Sequence, residues 1–168
     1  IQEKISKILK EKIILFGSGR TDTGVHALEQ SAHFECKKRI INYDKFLKSM
    51  NHFLNKDLVT ILKIKKKNQN FHSRFSAKMR IYKYIIINRL SRPVLDNNRG
   101  WHIVNSLDLK IMKKAAKKLV GTNDFSTFRA SSCRAKSPIK TMKSSKIKFK
   151  NNKIEIEFQS QSFLQKQV

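Results

Sequence analysis

Acidic residues are scarce in this chain, 12 Asp and Glu against 37 Lys and Arg, and the deficit leaves a formal charge of +25. That excess goes far beyond what solubility needs and makes a polyanion the natural partner. It says less than its size suggests, because 28 of the 37 cations are Lys in a chain also rich in Ile and Asn, the pattern a coding bias leaves. Cysteine is nearly absent too. Cys36 and Cys133 lie far apart without CxxC or Cys/His ligand spacing, so they read as free thiols, with no metal expected. The five histidines are scattered and read as packing or surface residues. No apolar run approaches the roughly 20 residues of a membrane span. The first residues also lack the n-region, h-region and cleavage site of a signal peptide, so a cytoplasmic globular protein with no membrane partner is expected. At 168 residues there is room for one ordinary domain or two small ones.

Glycine is rare as well, yet three of the five glycines fall in one stretch, GSGRTDTGVHA from Gly17 to Ala27. They punctuate a loop between two apolar runs that displays a lone carboxylate, Asp22, with Arg20 two residues before it and His26 four after. Thr-Asp-Thr-Gly is also ordinary turn chemistry, in which Asp bonds its own backbone and Gly takes positive φ.

Periodicity supplies the elements around this loop. Ile1, Ile5, Ile8 and Leu9 open the chain on an amphipathic helix without a cap, and Ile1 is not a Met, which reads as a fragment. Ile13 to Phe16 is a short apolar run, and Gln30, Ala32, Phe34 and Cys36 alternate with polar residues, so both are expected strands. Tyr43, Phe46, Leu47, Met50, Phe53 and Leu54 repeat at helical spacing, and Leu58, Thr60, Leu62 and Ile64 at spacing two. The first part is therefore expected to run α-β-β-α-β, a β-α-β-β-α-β unit lacking its first strand. A second pass has a strand at Ile81–Ile87 and a helix carrying Leu109, Met112, Ala116 and Leu119, stopped by Gly121. Next comes a hairpin turning at Asn151-Asn152, and a terminal helix starting at Phe163-Leu164. Two α+β halves are expected, 1–72 with the loop and 73–168 lacking its last strand, with mostly antiparallel sheets and a cleft.

The stretch GSGRTDTGVHALEQSAHF resembles the signature of the tRNA pseudouridine synthase A family, a GRTDxGVHA loop around a catalytic aspartate. The likeness continues in order through FHSRFSAKMRIYKYII, GTNDFSTFRA and SQSFLQKQV, and so spans nearly the whole chain. Ser18 and Thr23 depart from the family's usual small residues in the loop. The resemblance implies the pseudouridine synthase fold, two tandem ferredoxin-like halves truncated at both ends here. It also implies isomerisation of uridine in the tRNA anticodon stem-loop, a homodimer binding tRNA, and, beyond SQSFLQKQV, an Arg that pairs with the aspartate.

That reaction cuts the glycosidic bond, turns the base and makes a carbon–carbon bond. It involves no redox step and no phosphate cleavage, so no cofactor is demanded. Asp22 is the expected essential carboxylate, attacking the anomeric carbon, abstracting a sugar proton or adding to the ring; the sequence leaves all three open. Arg20 can hold Asp22 ionised or fill the space of a flipped nucleotide, and a surface Arg bonding loop carbonyls is the plain alternative. His26 is as well suited to closing the loop as to touching RNA. A flipped base is held by stacking, and by resemblance Tyr82 is the residue that stacks on the uracil, with Tyr84 on the same strand face. Arg74, Lys78, Arg80, Arg129 and Arg134 are expected phosphate contacts, while Lys113, Lys114, Lys117 and Lys118 read as the wet side of a helix. The competing class is a non-catalytic basic RNA-binding protein in which Asp22 is only a turn residue.

Overall fold

The first apolar repeat forms helix α1 (Gln2–Leu9), which buries Ile5 and Leu9 and ends where Lys10 turns left-handed at φ 51°. In this computed structural model, which describes residues 1–168, α1 belongs to the first of two compact units, Ile1–Ala77 and Lys78–Val168. Helix α2 (Tyr43–Phe53) starts at Asn42, whose side chain accepts the Lys45 amide at 2.8 Å, and it buries Phe46 and Met50. Ile13 and Leu54 complete the core between the two helices. Strands β1 (Leu15–Gly17) and β2 (Ala32–Phe34) pair antiparallel and lay Leu15 and Phe34 against that core.

Leu58–Ile64, expected as a strand, joins no ladder. Its backbone is held by a side chain instead: Asn51 donates to the Ile61 carbonyl at 2.9 Å and accepts the Ile61 amide at 2.8 Å. Ile64 of the spacing-two set packs on the core, as does Ile61 outside it, while Leu58 and Leu62 stay exposed.

In the second unit, β3 (Arg80–Asn88), β4 (Trp101–Ile103), β5 (Gly121–Asp124), β6 (Ile139–Lys150) and β7 (Lys153–Ser160) form one sheet in the order β4-β3-β7-β6-β5. Only β3–β4 is parallel. The fold is mixed α+β with mostly antiparallel pairing, as expected. Helix α3 (Leu109–Lys118) is capped by Asp108, which accepts the amides of Lys110 and Ile111. It turns Leu109, Met112 and Ala116 inward and leaves Lys113, Lys114, Lys117 and Lys118 exposed. Asn151 and Asn152, at φ 52° and 59°, make the two-residue turn of the β6–β7 hairpin, both in the left-handed region as a type I′ turn requires.

Two short strands, β4 and β5, were not expected from the pattern, and the helix expected at Phe163-Leu164 is a turn. The backbone there is engaged elsewhere. The Gln165 carbonyl accepts the Ala130 amide, the Gln165 amide reaches Cys133 Sγ, and the Gln167 side chain accepts the Leu164 amide at 2.7 Å. Leu164 joins Phe125, Cys133 and Met142 in the second core.

Candidate active site

The loop between β1 and β2 is closed at its base by backbone. The Ser18 amide donates to the Ser31 carbonyl at 2.8 Å, continuing the ladder, and Gln30 Nε2 donates to the Gly19 carbonyl at 2.9 Å. At the tip the Val25 amide donates to the Asp22 carbonyl at 3.1 Å, a four-residue turn with Gly24 at φ +81° in its third position. Gly24 is thus the glycine the turn requires; at Gly19 a side chain would meet open space. Asp22 opens this turn with its carbonyl bonded to the Val25 amide, and the residue is exposed. Arg20 and His26 are exposed in the same loop.

The root of the loop is fixed by a residue that pattern reading passes over. Ser73 is 2% exposed; its hydroxyl donates to the Phe16 carbonyl at 2.8 Å and its amide donates to His33 Nδ1 at 3.2 Å. Phe16 and His33 are register partners of β1 and β2, so one serine fastens both strands immediately before Gly17. His33 Nδ1 also lies 2.9 Å from the Ser73 hydroxyl oxygen, so both polar groups of this serine meet the histidine ring. Around this fastening the rings of Phe16 and His33 stack at 5.1 Å between centroids, and His72 meets His33 edge-on at 4.5 Å. Two of the five histidines that look scattered in sequence, His33 and His72, therefore share one cluster. The only sequence signal for it was FHSRFS itself, since its partners lie 40 and 57 residues away.

Arg74 is exposed beside Ser73, and Lys78 is exposed at the start of the second unit. There, Tyr82 sits half-buried on β3 opposite Phe158 of β7, with its ring edge-on to Phe163 at 5.0 Å. Tyr84 lies two residues on, opposite Ile156 and more exposed. Arg80 donates to the Gln161 carbonyl. Arg129, expected at phosphate, directs Nη2 to the carbonyls of Cys133 at 2.8 Å and Ala135 at 2.9 Å. It braces its own loop, and that use follows from the chain returning on itself over six residues. Arg134 on that loop is exposed.

The same loop sets the chemistry of Cys133. The Ala135 and Gln165 amides hold its thiol below the ordinary cysteine range, against the opposing effect of burial. Cys36 in the first unit is shifted the other way, pushed up by burial and by the Glu11 carboxylate. Both are free thiols.

On the opposite face of the second sheet Lys83, Glu157 and Lys146 stand in one row across β3, β7 and β6, with Glu155 and Lys148 beside them. Lys83 Nζ lies 3.7 Å from Glu155. Part of the scarce acid is spent here on balancing lysines, which leaves this face closer to neutral than the rest of the chain.

A family model described as tRNA pseudouridine synthase matches residues 115–168. The whole chain is 67% identical over 168 residues to the tRNA pseudouridine synthase A of Pelagibacter ubique (strain HTCC1062), covering 68% of that protein. It is 41% identical to the proteins of the same name from Ehrlichia canis (strain Jake) and Anaplasma phagocytophilum (strain HZ), covering 68% and 70% of them. With a glycine-turned loop carrying Asp22, and identity at this level along the whole of its length, the chain belongs to the tRNA pseudouridine synthase A family.

Proposed function

We propose that this protein isomerises uridine to pseudouridine in tRNA, in the anticodon arm, with Asp22 as the essential carboxylate. The observation that carries the reading is the display of Asp22. Its main chain is consumed by the Asp22–Val25 turn, its side chain is exposed, and the strands beneath it are fastened by Ser73. A carboxylate held this way keeps its position while the substrate base is turned, and positioning of that kind is a large part of any enzymatic rate. Arg20, two residues away in the same loop, supplies a planar cation suited to occupying the gap left by the extruded nucleotide. Tyr82 offers a ring for the flipped uracil, and Arg74, Arg80, Lys78 and His26 are the residues proposed to meet the RNA backbone. Arg129 contributes by shaping the loop that carries Arg134. The protein is proposed to act in the cytoplasm as a homodimer holding one tRNA across two subunits.

The test is incubation with an unmodified tRNA transcript, scoring pseudouridine site by site. Asp22→Asn is expected to lower conversion at least about a thousandfold, the scale seen when a nucleophile is removed from a site that otherwise stays intact, with tRNA affinity retained. Equal binding without conversion in both proteins would mean a basic RNA-binding protein in which Asp22 only shapes a turn.

A further inference from the structure

Between Leu58 and Leu95 the chain contains no acidic residue, and within the first unit this stretch holds Lys63, Lys65, Lys66, Lys67 and Arg74. Its second half is the segment that carries Ser73. Here four rings follow one another outward from the strand pair: Phe16 on His33 at 5.1 Å, His33 on His72 at 4.5 Å, and His72 on Phe75 at 4.4 Å. The inner end is anchored by the buried Ser73, and the outer end, Phe75, is 78% exposed. An exposed phenylalanine at a chain's surface needs no explanation by itself. This one ends a row of packed rings and sits on a turn closed by hydrogen bonds.

The turn beneath it is closed on every side. The Ser76 amide donates to the His72 carbonyl at 2.8 Å, the His72 amide donates to Ser76 Oγ at 3.1 Å, and the Arg74 amide donates to His72 Nδ1 at 3.2 Å. Arg74 lays its guanidinium over the Phe75 ring at 5.9 Å, and Lys67 stands over Phe71 at 5.4 Å. Along the lysine run the charges crowd one another: Lys63 and Lys67 hold the Lys65 ammonium below its usual range. A bound polyanion relieves that repulsion. An exposed ring packed on His72, with a guanidinium beside it and a lysine run in the same acid-free stretch, combines the two elements that bind unpaired nucleic acid, stacking and phosphate neutralisation.

We propose that Phe75, with the Arg74 guanidinium beside it, is a stacking platform for one unpaired nucleotide of the RNA substrate, separate from the base that meets Asp22. The proposal rests on the RNA-modifying reading of the protein and adds a second base contact to it. A ring already fixed by its neighbours loses little freedom when a base settles on it, so the contact is made at low entropic cost. Stacking is indifferent to base identity, so the platform selects unpaired over paired RNA and leaves sequence unread.

The experiment compares this protein with Phe75→Ala and Phe75→Trp, using a labelled oligouridine, an RNA duplex of the same length, and inorganic polyphosphate, which has charge but no base. Because Phe75 is mostly exposed, both variants are expected to keep the parent's circular dichroism. Phe75→Ala should weaken oligouridine binding about tenfold, within the range that loss of a stacked base costs, and leave polyphosphate binding unchanged. Phe75→Trp should restore the affinity, and its added fluorescence should be quenched by oligouridine and not by polyphosphate. Equal losses for both ligands, or an indole quenched by neither, would overturn the platform; so would a patch that binds another protein in preference to RNA. If conversion of tRNA persists in Asp22→Asn while the Phe75 results hold, the catalytic reading fails and the platform stands. If conversion depends on Asp22 but oligouridine affinity ignores Phe75, the platform alone fails.

Discussion

The two sheets of this molecule are held by different means. In the first unit β1 and β2 meet over three register pairs, and what fixes them is side chains from distant segments: Ser73 on Phe16 and His33, and Glu11 on the Lys37 amide at 2.9 Å. In the second, β3 meets β7 over eight pairs and the backbone does most of the fastening. A ladder of that length survives the loss of any one side chain. A short pair leans more on each side chain that fastens it, and the Asp22 loop stands on the short pair.

The largest expected effect probes both cores alike. Ile154→Ala in the second unit and Met50→Ala in the first remove side chains that are 0% and 1% exposed, and each should cost about 2–5 kcal/mol. Amide exchange should quicken within the unit that bears the change, and uniform quickening across all 168 residues would erase the distinction.

Next in size is the contrast between single polar side chains. Ser73→Ala removes a buried hydroxyl that donates to the Phe16 carbonyl and should cost about 1–3 kcal/mol, read as faster exchange at β1 and β2. In the second unit the exposed Thr122–Thr141 hydroxyl pair, at 2.8 Å, bridges β5 and β6, and Thr122→Ala should cost no more than about 1 kcal/mol because the ladder remains. Comparable costs would show that side-chain fastening is no more important in one unit than in the other.

Smaller still is the difference between the thiols. Followed by alkylation and mass spectrometry against pH, Cys133 should reach its thiolate at lower pH than free cysteine and Cys36 at higher pH, with the two converging in denaturant. Coincident curves in the folded protein would remove the assigned causes. The least effect is expected at Asp124, whose carboxylate is held below its ordinary range by the Ser126 hydroxyl and amide. Because the folded value is the lower one, the carboxylate's support of this turn is complete above the ordinary carboxylate range and disappears as pH falls through the lowered value. The Ser126 amide resonance should move at that lower pH; a midpoint at the ordinary carboxylate value would contradict it.

Legibility in the sequence followed the range of the interactions. Helix α2 with its Asn42 cap, the inward face of α3 and the Asn151-Asn152 turn are written within a few adjacent residues, and all three are where the pattern puts them. The Asp22 loop was legible for the same reason, as a local concentration of glycine. Leu58–Ile64 misled because an alternating pattern cannot tell a strand from an extended segment pinned by one asparagine. Phe163-Leu164 misled because the next residue, Gln165, gives its backbone bonds to a loop more than 30 residues earlier. Arg129 looked like any loop arginine, and only folding shows its guanidinium on its own loop's carbonyls.

The strand order of the second sheet has a consequence for how the protein is made. β3 carries the run Ile85, Ile86, Ile87, and its long antiparallel partner is β7, which begins 65 residues after β3 ends (Asn88 to Lys153). At synthesis rates of about 5–20 residues per second, this strand waits roughly 3 to 13 seconds outside the ribosome with its β7 edge open. The β6–β7 hairpin, closed by its two asparagines, needs no such wait and is ready to zip onto β3 as soon as it emerges. During that interval the newborn chain is most exposed to sticking to its neighbours, and Lys83, placed among the isoleucines of β3, is the charge that keeps them apart.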